Sequence, residues 1–179
     1  MQIKENQRFI TVFWLEEKLG TLPKALVGKE RFKEGASSLE EAKKAFLLWE
    51  KRLAYKAAIR LLTKRDYYGK YLQLLLERKG CSTKAAKWAV EECKNRGYID
   101  DERALNQLIL RAIEQQQTPR YILQKLLQKQ VPYGKAKSLL SDLYSEEKKA
   151  AVMEKIAQRK KKSSFALRAY FYQQGFFAE

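Results

Sequence analysis

Asp100 and Asp101 are the only adjacent aspartates in the chain, so they are the first residues to test for chemistry. A divalent cation needs more oxygen ligands than two neighbouring carboxylates supply, and without a third ligand the pair makes a poor site. Gly97 upstream suits a helix end, and aspartates suit the start of the next helix, where they satisfy free N–H groups and complement its dipole. Capping is the better reading, with Tyr98 and Ile99 packed between the two helices. The chain has no histidine, and Cys81 and Cys93 do not stand at a zinc-ligand spacing. Both fall beside apolar residues and read as buried thiols. Nothing clusters a nucleophile with a base, and no glycine-rich phosphate loop is present. The sequence predicts no catalytic residue, no metal and no cofactor: the chain is not an enzyme.

The cations carry more information. The chain has 37 Lys and Arg against 21 Asp and Glu, a net charge of +16. The excess is spread along its whole length, so the folded body itself is cationic and suits phosphate backbones or acidic protein surfaces. Lys56, Arg60 and Lys64 recur at i, i+4 and i+8, opposite the apolar sector of Tyr55, Ala58, Ile59, Leu61 and Leu62. Lys155 and Arg159 occupy matching positions in a later segment, whereas Asn106, Leu110 and Glu114 occupy them in the segment between. Lys70 and Arg120 each stand near a helix start, where a cation does not help the helix dipole and an external role is the alternative. Arg65 and the run Arg159-Lys160-Lys161-Lys162 complete the candidate contacts. Lys79 and Lys129 sit at helix C-termini and are explained by the dipole.

These side chains must be positioned by helices. Three prolines and eight glycines leave little punctuation. Residues 1–36 read as a small module: Arg8–Leu15 and Lys18–Leu22 form a β-hairpin turning at Glu16-Glu17, and Pro23 opens a short helix through Leu26. Ser37-Ser38-Leu39-Glu40-Glu41 is a capping box opening a helix to about Lys64, with a break expected near Ala54. Trp49 reads as a core anchor. The connecting helix is therefore 37–54, followed by an internal repeat. Leu72, Leu76 and Gly80-Cys81 recur as Ile122, Leu126 and Gln130-Val131, and again as Leu167, Phe171 and Gly175-Phe176. Three-helix repeats follow at 55–101 and 102–144, and an incomplete third at 145–179 lacks its last helix. Phe176 and Phe177 are then expected to lack cover. The fold class is mainly α: tandem three-helix-bundle repeats with a small N-terminal β-hairpin module.

Ala57-Ala-Ile-Arg-Leu-Leu-Thr-Lys-Arg65, Tyr71-Leu-Gln-Leu-Leu-Leu-Glu-Arg-Lys-Gly80 and Arg96-Gly-Tyr-Ile-Asp-Asp-Glu-Arg103 resemble the RecX family in order and spacing. The segment Gly97, Tyr98, Ile99, Asp100, Asp101, Arg103 is the most diagnostic. The likeness covers about residues 55–177, and the start resembles the extra module of some longer members. It departs at Gly69, where a serine cap is usual, at Gln130, where a glycine is expected, and at Leu105, where an aromatic is common. The resemblance implies a regulator of the RecA recombinase that binds the RecA nucleoprotein filament, with inhibition the expected direction, in DNA repair, recombination and the SOS response. It also implies contact with single-stranded DNA, with double-stranded DNA as a further candidate. No apolar run suggests a signal peptide or a membrane span, so a cytoplasmic monomer without a membrane partner is expected. The alternatives are a helical nucleic-acid-binding module such as a transcription regulator, and a scaffold for acidic proteins. A base-reading module should concentrate its cations and amides on one recognition helix, whereas here they are distributed.

Overall fold

The computed structural model describes residues 2–32, 35–160 and 164–177. Within it the chain divides into two compact units, residues 1–100 and 101–179.

The first unit opens with an antiparallel sheet of β1 (Gln2–Glu5), β2 (Phe9–Trp14) and β3 (Glu17–Pro23), in the order β1-β2-β3. The expected hairpin is β2-β3, but Trp14 pairs with Glu17, so the turn falls on Leu15-Glu16, with Leu15 at φ 51°. β1 was not expected: Gln-Ile-Lys-Glu carries one apolar residue, and all four side chains are exposed. Period-2 alternation puts Ile10, Val12 and Leu22 on the buried face, against Phe46, Trp49 and Leu53 of a long helix. Gly20 permits this contact, since a Cβ there would lie 2.5 Å from the Phe46 ring. Phe32 joins Phe46 and Trp49 in a tilted aromatic cluster with centroids 5.2–6.0 Å apart.

After α1 (Lys24–Val27), α2 runs from Leu39 to Leu62. Ser38 caps it by accepting from the Glu41 N–H, while the Glu41 carboxylate reaches back to the Ser37 N–H at 2.8 Å. The break expected near Ala54 is absent. No glycine or proline interrupts 39–62, and Leu53 and Ala54 are both buried, so one helix serves two cores. Its first half covers the sheet. Its second half packs with α3 (Gly69–Arg78) and α4 (Thr83–Asn95) around Ala58, Leu72, Leu76, Cys81, Ala85, Ala89 and Cys93. The alanine stripe of α4 allows a close approach to α2.

The link from α3 to α4 joins all these elements. Gly80 adopts φ +91°, which lets the Cys81 N–H return to the Leu76 carbonyl at 3.1 Å and drops Cys81 into the core. A Cβ on Gly80 would meet Pro23 at 2.5 Å. Ser82 accepts from the Ala85 N–H at the start of α4 and donates its own N–H and Oγ–H to the Glu50 carboxylate at 2.6 and 2.7 Å. Glu50 is 4% exposed and sits at the positive end of α4, which accounts for a buried carboxylate on an otherwise apolar face.

In the second unit α5 (Asp101–Glu114), α6 (Pro119–Gln128) and α7 (Tyr133–Leu143) repeat this bundle around Leu105, Ile109, Ile122, Leu126, Val131 and Ala136. α8 (Glu146–Arg159) and α9 (Ser164–Gln173) follow, with no third helix after them among the described residues. The helix-ending turn recurs: the Val131 N–H bonds Leu126 O and the Phe176 N–H bonds Phe171 O, both at 3.2 Å. The expectation that Phe176 lacks cover is wrong. It is 2% exposed, beneath the Tyr144 and Phe171 rings. The end of α9 docks on the start of α6, where the Arg120 N–H bonds Gln174 O and the Thr118 hydroxyl bonds Gln174 Oε1, both at 3.0 Å. Phe177 is 43% exposed.

Gln130 holds φ +64° where the matching residues are Gly80 and Gly175. A side chain in this region costs roughly 1–2 kcal/mol, offset in part by the freer unfolded chain that glycine allows. Gln130→Gly should therefore raise the free energy of unfolding by about 0.5–1 kcal/mol in a urea melt. Gly80→Ala, which adds both strain and the Pro23 clash, should lower it by more than about 1 kcal/mol. Equal effects of the two changes would mean that the turn is not under conformational constraint.

Candidate polyanion-binding site

The first unit brings three predicted cations together. Lys56 and Arg60 lie on the exposed side of α2, opposite buried Ala54 and Ala58. Lys64 stands in the turn just past the helix end, its N–H bonded to Leu61 O. All three line one open groove of about 1250 Å³ between α2, the end of α3 and the N-terminal module. Lys56 is ion-paired to Glu30 in that groove. Arg60 and Lys64 have no carboxylate partner among the described residues. Arg65 turns away, its guanidinium over the Tyr67 ring at 4.8 Å. Lys70 is exposed in the first turn of α3.

The second unit carries its own set. Lys155 and Arg159 are exposed on α8, beside buried Val152 and Ile156, and neither is ion-paired among the described residues. Arg120 has an internal task that its exposure hides: its guanidinium donates to Gln173 O at 3.1 Å, near the last turn of α9. Lys160 is half-buried with its ammonium 4.4 Å from the Tyr170 ring centre. Lys161 and Lys162 lie outside the described residues. The matching positions of α5 are an exposed Leu110, an exposed Glu114 and a half-buried Asn106.

Gly97 adopts φ +72°, and the Tyr98 N–H closes α4 on Cys93 O at 2.9 Å. Ile99 packs on the bundle of the first unit, but Tyr98 does not pack as expected: it is 48% exposed. Asp101 and Glu102 lie in the first turn of α5, and Arg103 is exposed on the same helix. Asp100 is exposed just before it, and no group of three His, Cys, Asp or Glu residues with metal-binding geometry occurs among the described residues.

Arg8, Lys24, Lys29, Arg78 and Lys79 also line the groove of the first unit. Reading the chain helix by helix missed the first four and assigned Lys79 to the helix dipole, because they come from the small module and the end of α3. The only signal available was the glycine-proline contact that joins those two pieces, and it is tertiary.

Cys81 and Cys93 are free and buried. Burial pushes their thiols up to about 12 and about 11, from an ordinary 9.0, so both stay protonated and neither is a nucleophile. The folded chain thus keeps protons that the unfolded chain releases. The contribution of both thiols to stability is complete below pH 9 and declines as pH rises towards 11–12. Iodoacetamide at neutral pH should label neither cysteine until denaturant unfolds the first unit, and rapid labelling of the native chain would contradict this placement. Exposed charges contribute little to folding. Replacing Arg60, Lys64, Lys155 and Arg159 together by glutamine should leave the melting temperature nearly unchanged; a large drop would assign them a structural role.

No family model matches the chain. It is 29% identical over 147 residues to the regulatory protein RecX of Caldanaerobacter subterraneus subsp. tengcongensis, covering 80% of this chain and 75% of that one. The RecX of Syntrophotalea carbinolica is 27% identical over 60% of this chain and 71% of its own. That of Legionella pneumophila is 36% identical over 49% of this chain and 58% of its own. A crystal structure of a regulatory protein RecX superposes with a TM-score of 0.63 at 13% identity, over 99% of this chain and 93% of that one, a likeness of fold. In sequence the chain is thus similar to these RecX regulators, and in fold it is similar to a solved RecX structure.

Proposed function

We propose that this RecX-like regulator acts on the RecA recombinase, docking on RecA–single-stranded DNA filaments through its exposed cations and lowering recombinase activity without catalysing a reaction. It would do so as a cytoplasmic monomer in DNA repair and recombination. The observation that carries this reading is the state of Arg60, Lys64, Lys155 and Arg159. Several other surface cations are used inside the fold, as in Lys24–Glu5, Lys43–Glu17, Lys87–Glu91 and Arg96–Glu92. These four have no carboxylate partner among the described residues. Unpaired like charges repel and are offset only when an anionic partner arrives. Lys70 joins them on the same grounds, while Lys56, Arg65, Arg120 and Lys160 are already engaged and would contribute less.

RecA-driven strand exchange and ATP hydrolysis, with and without the protein, test the reading. Both should slow as the protein saturates the filament. No effect at saturation would favour a module acting directly on nucleic acid. Glu114→Ala, which removes a carboxylate from the matching face of α5, should not weaken filament binding. Markedly weaker binding by this variant would show that the face of α5 makes a contact of a different kind.

A further inference from the structure

The groove of the first unit has a chemistry that neither the bundle core nor phosphate binding explains. Eight cations and one carboxylate line it, and that carboxylate, Glu30, is taken by Lys56. Lys24 is held by Glu5 at 2.9 Å. Arg8, Lys29, Arg60, Lys64, Arg78 and Lys79 remain on an exposed rim without an acidic partner among the described residues. They come from four separate elements, so helix periodicity does not account for their convergence. Between them the floor is aliphatic, built from Pro23, Leu26, Ala57 and Leu61, all half-buried. At about 1250 Å³ the groove exceeds the roughly 300–1,000 Å³ of small-molecule sites, and it is open along its length.

From these features we infer that the groove receives an acidic peptide segment with interspersed apolar side chains, supplied by a protein partner. A cationic rim pairs with carboxylates while an aliphatic floor takes leucine-like side chains, and each class of contact sets the register of the other. Single-stranded nucleic acid fits less well. It binds through backbone contacts together with aromatic platforms under successive bases. Here one aromatic ring, Phe9, lines the groove. The module at the chain start therefore has a function of its own: Pro23 against Gly80 fixes one end of the groove, and Arg8 and Lys29 complete its rim. The inference goes beyond the recombinase reading and stands whether or not the partner is RecA.

Fluorescence polarisation of the intact chain with a labelled synthetic peptide of glutamates interrupted by leucines tests it. Binding should be saturable. Arg8→Gln/Lys29→Gln/Arg78→Gln/Lys79→Gln should weaken it by about tenfold or more, with circular dichroism confirming the fold, whereas Lys155→Gln/Arg159→Gln should leave it unchanged. A peptide of equal charge with serine in place of leucine should bind several-fold more weakly to the parent chain, a comparison that needs no variant. Absence of saturable binding, equal affinity for the serine peptide, or no effect of the four rim changes would overturn the proposal. Displacement of the peptide by oligothymidylate at a lower concentration than by the unlabelled peptide would assign the groove to nucleic acid. Because no recombinase is present, failure here leaves the strand-exchange result standing, and failure there leaves this one.

Discussion

Three consecutive residues between α3 and α4 hold the first unit together. Gly80 turns the chain in a conformation that side chains resist and thereby comes within contact of Pro23. Cys81 fills the bundle core. Ser82 starts α4 and donates two hydrogen bonds to the buried Glu50 carboxylate of α2. The sheet, the long helix and the bundle thus meet at one turn. The buried carboxylate is tolerable only because a helix N-terminus and a hydroxyl are aimed at it. Without the turn, the sheet would still pack on the first half of α2, but the end of α3 would not be held against Pro23 and the cationic groove would lose one of its walls.

The same turn also explains the internal repeat. At Cys81, Val131 and Phe176 an N–H returns to the carbonyl five residues earlier and an apolar side chain enters the core, at N···O distances of 3.1, 3.2 and 3.2 Å. What recurs is therefore the buried half of each unit. The outer half is free to change, because solvent constrains it weakly. Lys56 and Arg60 stand where α5 has Asn106 and Leu110, and Lys155 and Arg159 stand where it has Leu110 and Glu114. Basic faces in the first and last repeats and not in the middle one are thus a property of the surface rather than of the repeat.

The helical architecture was legible because its signals are local: the Ser38 cap, the apolar stripes and the glycines past helix ends. Where reading failed, a tertiary contact had overridden the local pattern. α2 continues through Ala54 because both of its halves find cores. Phe176 is buried because the end of α9 bonds to Thr118 and Arg120, a contact between residues more than fifty positions apart. β1 has no apolar face to announce it, and its strand is defined by pairing with β2 alone. Among the candidate contacts, Lys56, Arg60 and Lys64 do share one groove, whereas Arg120 and Lys160 proved to be engaged within the fold. Their neighbours Gln173 and Tyr170 lie on a different helix, which sequence spacing does not report.

Exposed cations without an acidic partner are what the filament is proposed to bind. Neutralising a phosphate releases its counterions, so affinity and its salt dependence must change together. The decisive measurement is the affinity of the parent chain and of the Arg60→Gln/Lys64→Gln/Lys155→Gln/Arg159→Gln variant for RecA–single-stranded DNA filaments over a series of salt concentrations. The account predicts weaker binding by the variant, with a log–log salt slope shallower by about one for each phosphate that is no longer neutralised. Equal affinity and equal slope for the two proteins would show that these cations are only a solvated surface, and would contradict it.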